Sequence, residues 1–395
     1  MRIAIMTDSY RPTVDGVVTA VLVTRKALED LGHTVFVIAP DPGPEYREEG
    51  VYYFRAQKFS MYPGYFIPWF PSYTSDLIRK LNVDVIHVRG VAFMALKALV
   101  ASHNTGVPVV LTYDTLVTDV IARYSPVKLP PGMLVGSASV YLRQLLKRCN
   151  TVLVPTPSAG REVTETVGAR PRRMEVVPTG IDTERFTRRP EGGEAVRRKY
   201  GLIGKRIVIA VGRVSFEKNE DLVIRSMKLL PEDIVLLIVG QGPALDGLKA
   251  LAVSEGVDGR VVFAGYQKDT ALVDHYSCAD AFVSASVFET QGFTVQEAMS
   301  CDIPVACGNG RAFTDFIRDG ENGYLFDLTE EDCASAIMKA LSAPQEVRDR
   351  GMETAKSYGI GPTTERLVEA YEEAVAIGRK WKKKKGFGRG KNEGR

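Results

Sequence analysis

Cysteine, histidine and long apolar runs are all scarce in this chain of 395 residues, and each scarcity excludes a class of protein. The five cysteines form no C-x-x-C pair, so we expect no disulfide framework and a reduced, cytoplasmic setting. The four histidines lie far apart, no D-x-D occurs, and the sequence therefore indicates no metal site. The apolar runs fall short of the roughly 18 residues that a membrane span requires, so we expect no transmembrane helix.

The N-terminus begins with a short apolar stretch, MRIAIMTDSY. It carries an acidic residue too early for the apolar core of a signal peptide, and we interpret it as a first β-strand.

Positive charge is concentrated at the C-terminus. Residues 379–395 hold nine Lys or Arg and one Glu, a net charge of +8, whereas the other 378 residues hold 42 basic and 47 acidic side chains. Such a dense run of like charge predicts a disordered basic tail. The tail could serve solubility alone, attract an anionic membrane surface, or bind nucleic acid, and since no nucleic-acid-binding motif is present we expect no nucleic-acid partner.

Short apolar strands alternate with helical segments along most of the chain. Runs such as RIAIM, TVFVIA, RIVIAVG and IVLLIVG are apolar throughout, which is typical of strands covered on both faces of a parallel sheet. The alternation breaks over 178–204, which is polar, charged and rich in turns, and which we interpret as a linker. The predicted fold class is therefore α/β, with two facing Rossmann-like, doubly wound domains at 1–185 and 200–362 and a ligand cleft between them.

The stretch FETQGFTVQE contains two carboxylates, Glu289 and Glu297, with seven residues between them. Glu289 follows the predicted strand DAFVSAS, and Glu297 lies in the first turn of a predicted helix, which makes the intervening backbone a candidate phosphate site. Two carboxylates at such spacing could also form the acid/base pair of a glycoside hydrolase. Glu289 could instead be a solvated loop residue. Thr294 and Glu297 also fit a capping box, in which Glu297 would serve only the helix end.

Two further loops carry residues suited to phosphate. Arg213 and Lys218 follow the predicted strand RIVIAVG, and paired cations there suit a diphosphate, although a surface ion pair would give the same pattern. Gly16 stands at the start of a predicted helix in SYRPTVDGVVTAV and would present a second phosphate-facing backbone.

Together these segments resemble the family 4 glycosyltransferases of the GT-B fold. The resemblance rests on SYRPTVDGVVTAV, VPTGIDTERF, VGRVSFEKN, VGQGP, VFAGY, SASVFETQGFTVQEAMSC and NGYLF, which occur in the family's order over roughly residues 1–370. DGVV, and TYDT followed by Tyr124, are most similar to the branch that glycosylates lipids, such as diacylglycerol glucosyltransferases and phosphatidylinositol mannosyltransferases.

The resemblance implies a role for each matching residue. Glu289 would hold hydroxyls of the donor sugar and Glu297 those of the ribose, while Arg213 and Lys218 would neutralise the diphosphate. The remaining donor-binding residues implied are Gly16, Gly292, Phe293 and Thr294 at the phosphates, and Tyr266 and Gln267 beside the base.

The resemblance also implies the overall reaction and organisation. Residues 1–185 would bind the acceptor, a helix at about 363–378 would cross back onto that domain, and 200–362 would bind a UDP- or GDP-sugar. The family transfers a hexose with retention of configuration and uses no metal or other cofactor. The acceptor expected is a lipid or polyprenol-type head group on the cytoplasmic face of the membrane. The rival interpretations are a non-catalytic nucleotide-sugar-binding relative and a sugar-nucleotide epimerase on the same scaffold.

Two positions depart from the family pattern. Asp114, the third residue of TYDT, stands where the family usually has a histidine that contacts the donor sugar, and we retain it as a candidate catalytic residue. Arg89 stands where relatives often have a second histidine, and it could pair with Asp114 or with an anionic acceptor.

Two segments could contact a membrane besides the tail. Residues 59–73 are crowded with aromatic residues and proline, and 140–148 have apolar and basic residues at helical spacing. The first could equally pack against the N-terminal domain, and the second could be a core helix with a basic face. We expect a peripheral membrane enzyme.

Overall fold

The computed structural model of the protein describes residues 1–13, 16–58, 66–68, 73–115 and 131–384. The chain forms two compact units, one made of Met1–Gly180 with Ile360–Arg395 and the other of Ile181–Gly359. Each unit is an α/β fold around a parallel sheet, because the apolar strands noted above are covered by helices on both faces.

The first unit contains a seven-stranded parallel sheet and a small antiparallel pair. The strands are β1 (Arg2–Thr7), β2 (Thr34–Pro40), β3 (Val51–Phe54), β4 (Ala56–Lys58), β5 (Phe66–Pro68), β6 (Val85–Arg89), β7 (Val109–Thr112), β8 (Thr151–Val154) and β9 (Met174–Val176). The large sheet has the order β3-β2-β1-β6-β7-β8-β9, and β4 pairs with β5. The direction of winding therefore reverses between β1 and β6.

Helices connect these strands. They are α1 (Gly16–Asp30), α2 (Thr74–Lys80), α3 (Phe93–Thr105), α4 (Pro131–Arg148) and α5 (Pro157–Arg161), the last followed by a π-helical turn at Glu162–Thr166. One face of the sheet packs Met6, Ile38 and Val88 against α3 and α4. The register between β6 and β7 places Arg89 opposite Thr112 at the carboxyl end of both strands.

The second unit repeats the plan with six strands. These are β10 (Arg206–Val211), β11 (Ile234–Val239), β12 (Val261–Gly265), β13 (Ala281–Ser284), β14 (Val305–Gly308) and β15 (Tyr324–Phe326), in the order β12-β11-β10-β13-β14-β15. Its helices are α6 (Pro190–Lys199), α7 (Glu220–Ser226), α8 (Leu245–Ser254), α9 (Asp269–Ser277), α10 (Phe293–Ser300), α11 (Ala312–Phe316), α12 (Glu330–Leu341) and α13 (Gln345–Ser357). Three 3₁₀ turns lie at Phe216–Lys218, Met227–Leu229 and Asp258–Arg260. The winding reverses between β10 and β13.

The stretch 178–204 is not the linker that its polarity suggested. Ile181 and Phe186 are buried in the core of the second unit, and α6 packs against α9. Gly193 in α6 permits this contact, since a Cβ there would lie 2.5 Å from the carbonyl oxygen of Ser277. The boundary between the two units falls after Gly180, near the start of this stretch, and the rest of the stretch belongs to the second unit.

The last helix, α14 (Ile360–Lys384), belongs to the first unit and contacts α1, β6 and β7. Tyr371 and Ala374 pack there against Ile3, Ile5 and Val110. The helix covers the expected crossing at 363–378 and continues six residues into the tail that we expected to be disordered. Arg and Lys are good helix formers, which explains the extension. Residues 385–395 lie outside the described residues.

Candidate functional site

Strand order brings two of the candidate loops of the second unit together. The loop carrying Arg213 and Lys218 follows β10, the loop carrying Glu289 follows β13, and these two strands are hydrogen-bonded neighbours. Ligands of doubly wound sheets bind beyond the carboxyl ends of the strands where the winding reverses. These residues therefore lie at the position where such a sheet holds a ligand.

Lys218 and Glu289 form an ion pair, with the Lys218 ammonium donating to Glu289 Oε1. Their side chains are 26% and 18% exposed, so the pair is half-buried rather than fully solvated. Asn219 positions the lysine, because its backbone is left-handed at φ 52° and its amide donates to the carbonyl of Ala285 at 3.0 Å. The protein thus holds a cation and a carboxylate side by side at this edge, whereas Arg213 is exposed.

Burial lowers the pKa of Lys218, but the carboxylates of Glu289, Glu220 and Glu217 outweigh it, and the net pKa is raised. The lysine is therefore positively charged at neutral pH. Sequence reasoning missed Glu220, the first residue of α7, whose half-buried position raises its pKa to about 8 from 4.5 despite the nearby lysine. The signal available was the run EKNED, in which acidic residues flank the lysine.

Gly292 forms the turn into α10. Its φ is +85°, and a Cβ at this position would lie 2.8 Å from the ring of Phe313, so glycine is required. Gly292 is the N-cap, which makes Phe293 and Thr294 the first two helical residues. The first N–H groups of a helix have no acceptor within it and favour an anion, so this backbone is suited to a phosphate.

The capping-box interpretation of Glu297 is wrong. Thr294 lies inside the helix rather than at its cap, and Glu297 Oε2 accepts a hydrogen bond from the Tyr276 hydroxyl at 2.8 Å. Burial raises the pKa of Glu297 to about 7 from 4.5, opposed by that hydrogen bond and by the charge of Arg185. Glu297 therefore changes charge near neutral pH. No local pattern revealed Tyr276 or Arg185, which come from α9 and from the start of the unit.

Tyr266 and Gln267 follow the edge strand β12. Two strands, β11 and β10, separate β12 from β13, so sheet order does not place these residues beside Glu289. The Tyr266 side chain is 50% exposed, and the Gln267 amide donates to the carbonyl of Ala264 at 2.7 Å. Their expected role beside a base stays a prediction.

In the first unit, Gly16 begins α1, as expected, and a Cβ there would meet nothing within 4 Å. Asp8 occupies the point where the winding reverses between β1 and β6. Its carboxylate accepts from the backbone N–H groups of Met94 at 2.8 Å and Ala92 at 3.2 Å, at the start of α3. Burial raises the pKa of Asp8 to about 6. The protein's own carboxylate thus takes the place that a phosphate occupies in many such folds.

Asp114 and Arg89 lie at the carboxyl ends of β7 and β6 and form an ion pair. Arg89 Nε and Nη2 donate to Asp114 Oδ2 at 3.2 and 3.1 Å, and Nη2 also donates to Thr179 at 2.9 Å. The sequence suggested two partners for Arg89, Asp114 and an anionic acceptor, and in the structure Arg89 is paired with Asp114.

The helical stretch 140–148 lies within α4 and is a core helix with a basic face. Leu142, Leu145 and Leu146 are buried, and the exposed residues include Arg143 and Lys147. Of the other membrane candidates, most of 59–73 lies outside the described residues, as does Tyr124.

The five cysteines are buried and unpaired. Within the described ranges, no group of three His, Cys, Asp or Glu side chains is placed to hold a metal ion. In the same ranges, no helix has both the length and the apolar character needed to cross a bilayer.

Two family models match the chain. The model of glycosyltransferase family 4 matches residues 14–185, and the model of glycosyl transferases group 1 matches residues 194–358. The two matches together cover most of the chain. The family 4 match lies on the first unit, apart from a few residues beyond its boundary, and the group 1 match lies on the second unit.

Curated proteins and solved structures show similarity over nearly the whole chain. An alpha-monoglucosyldiacylglycerol synthase of Streptococcus pneumoniae is 29% identical over 95% of this chain and 86% of its own. A GDP-mannose-dependent alpha-mannosyltransferase of Mycolicibacterium smegmatis is 29% identical over 85% of this chain and 86% of its own length. The Anabaena protein HepE, solved in complex with UDP, superposes with a TM-score of 0.77 at 17% identity, over 94% of this chain and 100% of that one. The predicted fold class, α/β with two doubly wound sheets, is confirmed.

Proposed function

The chain belongs to the family 4 glycosyltransferases of the GT-B fold and transfers a sugar from a nucleotide sugar, and on this premise we propose that the acceptor is a hydroxyl of a membrane lipid head group. The transferred sugar is a hexose, the anomeric configuration is retained, and no metal takes part. The second unit binds the UDP- or GDP-sugar, and the first unit binds the acceptor.

The Lys218–Glu289 pair is the observation that carries the proposed binding of the sugar nucleotide by the second unit. A sugar nucleotide has negative phosphate oxygens directly beside neutral hydroxyl groups, and the pair has a cation directly beside a carboxylate. The ammonium matches the phosphate oxygens, and the carboxylate accepts from sugar hydroxyls. The N–H groups at the start of α10 add donors for phosphate, and Glu297 supplies a carboxylate for the ribose.

The reaction follows from this arrangement. The bond between the anomeric carbon and the diphosphate breaks, the acceptor oxygen bonds to that carbon, and the acceptor proton passes to a phosphate oxygen. Negative charge grows on the departing diphosphate, where Lys218 and Arg213 stabilise it, so charge compensation comes from side chains rather than from a metal. Fixed donors aimed at developing charge are commonly the largest contribution to catalysis.

Support for a lipid acceptor comes from the relatives and from surface charge. The Streptococcus pneumoniae relative is named for the diacylglycerol lipid that it makes. In this chain, α4 exposes Arg143, Lys147 and Arg148, and the run 379–395 adds a net charge of +8. Each basic residue near an acidic bilayer contributes about 1 kcal/mol, which favours association with the membrane surface.

The test is transfer of radiolabelled hexose from UDP-glucose or GDP-mannose onto a bacterial membrane lipid extract. Glu289→Gln should lower kcat by about 100-fold or more while the affinity for UDP or GDP changes little, because the bare nucleotide has no sugar to hold. Glu353→Gln, on the exposed face of α13, is the matched control and should transfer normally. Equal losses of binding and transfer in Glu289→Gln would indicate a structural role and contradict the proposal.

The same assay separates the rivals. Wild-type protein that binds a sugar nucleotide but labels no lipid would favour the non-catalytic relative, to which Asp114 at the usual histidine position points. Conversion of the sugar nucleotide in the absence of acceptor would indicate an epimerase. Addition of EDTA should leave transfer unchanged, and loss of activity that Mg²⁺ restores would refute metal independence.

A further inference from the structure

Helix α3 has the reverse of the polarity that is usual for a surface helix. Lys97 is its one charged residue, yet Lys97 is only 1% exposed and its ammonium lies 5.2 Å from the centre of the Phe54 ring. The exposed side chains of the first two turns are instead Phe93, Leu96 and Val100. A surface helix normally presents charged and polar residues on its outer side, so the outer side of α3 requires another explanation.

These three residues form a single stripe. They are three and four positions apart, which places them on the same side of the helix. The opposite side packs against the sheet through Met94, Ala95, Ala98 and Ala101. Single exposed apolar residues are common on protein surfaces, but an exposed apolar patch marks an interaction site.

The neighbouring helix α4 extends this surface. The Tyr141 hydroxyl donates to the carbonyl oxygen of Val91 at 2.7 Å, which holds the middle of α4 beside the start of α3. Met133 and Val140 are exposed, and so is Lys147. These three residues are seven positions apart, or about two helical turns, so they share one side of α4. The outer side of α4 thus changes from apolar to basic along its length, ending at Arg143, Lys147 and Arg148.

The charge of these outer sides has one sign. The sequence has no Asp or Glu between Asp84 and Asp114, or between Asp119 and Glu162, so neither helix carries a negative charge. The only acidic residue of the adjacent helix α2 is Asp76, which is paired with Arg79 at 2.8 Å. We call the combined surface the α3–α4 face, defined by Phe93, Leu96, Val100, Met133, Val140, Arg143, Lys147 and Arg148.

An anionic lipid bilayer has the chemistry that complements this face. Its surface is negatively charged and its acyl chains lie directly below the head groups, so basic and apolar side chains both interact favourably with it. A second copy of this chain would bring two positive faces together. Nucleic acid would match the charge but would leave the apolar stripe of α3 uncovered.

The apolar part of the face lies close to the ligand edge of the first sheet. Helix α3 begins at Phe93, shortly after β6 ends at Arg89. Ligands of doubly wound sheets bind beyond such strand ends. A bilayer on the α3–α4 face would therefore bring its head groups to the edge at which the first unit is proposed to bind the acceptor.

We propose that the α3–α4 face docks this protein on an anionic lipid bilayer, with its apolar side chains among the acyl chains and its basic side chains at the head-group phosphates. The inference rests on the proposed function for its choice of a lipid partner, and it deepens that function by naming the surface that meets the lipid. This contact differs from attraction by the run 379–395, because it comes from folded helices and its apolar part does not depend on salt.

Vesicle binding tests the inference without any transfer reaction. The full chain is floated with vesicles of equal parts phosphatidylglycerol and phosphatidylcholine, at low and at high salt. Leu96→Gln and Val100→Gln should each weaken binding by about tenfold at both salt concentrations, because each removes one apolar side chain from the acyl layer. The double variant Lys147→Gln/Arg148→Gln should weaken binding by about 30-fold at low salt and little at high salt, because salt screens surface charge.

Leu31→Gln is the matched control. Leu31 is 56% exposed, against 55% for Val100, and it follows α1, which packs on the opposite face of the same sheet. This variant should bind vesicles as the wild type does. A polarity-sensitive fluorophore attached to Leu96→Cys should shift to the blue with anionic vesicles, whereas the same label on Leu31→Cys should not. The native cysteines are buried, so the label reports on the new position.

Three outcomes would overturn the inference: wild-type vesicle affinity in both Leu96→Gln and Val100→Gln, a label at position 96 that stays in water, or a dimer in sedimentation that Leu96→Gln dissociates. The last outcome would assign the face to a second copy of the chain. If Leu96→Gln does not fold, the more exposed Val100→Gln decides.

Transfer onto lipid separates this inference from the proposed function. Wild-type protein that labels lipid, together with vesicle binding that Leu96→Gln leaves unchanged, would refute the docking face alone. Vesicle binding that depends on Leu96 and Val100, without any transfer by the wild type, would support the docking face and refute the proposed function.

Discussion

Binding of a UDP-sugar should weaken about tenfold when the pH falls from 8 to 6, because Glu297 loses its charge over that range. Burial raises the pKa of this carboxyl to about 7 from 4.5, against the hydrogen bond from Tyr276 and the charge of Arg185. The ionised form is a stronger acceptor for the ribose hydroxyls, because both of its oxygens accept and neither carries a proton. The perturbation is therefore proton binding at the carboxyl of Glu297. The variant Glu297→Gln replaces this carboxyl by an amide that does not titrate.

The magnitude follows from the ionised fraction. With a pKa of about 7, roughly a tenth of the protein carries the charged carboxylate at pH 6 and roughly nine tenths at pH 8. If only that fraction binds, the apparent Kd rises by the reciprocal of the fraction, or about tenfold. The diphosphate of a sugar nucleotide stays fully ionised throughout, so the ligand adds no dependence of its own.

The assay is isothermal titration calorimetry with UDP-glucose at pH 6, 7 and 8, or with a GDP-sugar if that is the donor. Glu297→Gln should bind weakly and with the same Kd at all three values, whereas Glu353→Gln should match the wild type. Glu220→Gln is a second control, because ionisation of Glu220 with a pKa of about 8 places a further negative charge near Lys218. In a further titration at pH 9, this variant should bind as tightly as it does at pH 8, whereas the wild type should bind more weakly.

Thermal unfolding gives an independent check with a defined sign. A carboxyl whose pKa is raised by folding stabilises the fold below its unfolded pKa of 4.5, and that stability is lost as the pH rises through about 7. Glu297→Gln should therefore melt above the wild type at pH 8, and the difference should shrink towards pH 5. A Kd for the wild type that is flat from pH 6 to pH 8 would refute the assignment of Glu297 to the ribose.

Three further predictions concern the fold and the surface. Gly292→Ala should destabilise the protein by about 1–3 kcal/mol in urea unfolding, because Gly292 has a φ of +85° and a Cβ there would lie 2.8 Å from the ring of Phe313. Gly247→Ala in α8 is the control and should not destabilise the protein, because a Cβ there would meet nothing within 4 Å. The free energy of unfolding should fall as the pH drops below 6.5, because folding holds the pKa of His87 well below that value. If the wild type and His87→Gln show the same dependence of stability on pH between pH 5 and 7, this prediction is wrong. Deletion of 379–395 should weaken binding to anionic but not to neutral vesicles at low salt in a flotation assay, and unchanged binding would assign the segment to solubility.

Local sequence patterns predicted the strands and helices well, but they predicted the boundaries of the units and of the helices less well. The continuously apolar runs became the strands of two parallel sheets, and FTVQEAMS became α10, because burial on both faces and a glycine turn leave clear local signals. The stretch 178–204 was misread as a linker, because its polar and charged composition does not reveal that Ile181 and Phe186 are buried and that Gly193 permits close packing of α6. The capping box failed for a similar reason: the motif is present in the sequence, but Gly292 already begins the helix.

The sequence by itself determined which loops hold the candidate residues, because Glu289, Lys218 and Asp114 each follow an apolar strand and ligand sites form beyond such strand ends. Only the tertiary structure decided which of these residues meet. Lys218 and Glu289 are 71 positions apart, and Arg89 and Asp114 are 25 apart. Their contacts depend on the order of strands within each sheet, which places β10 beside β13 and β6 beside β7. Strand order is set by the packing of the whole unit, so no local periodicity records it.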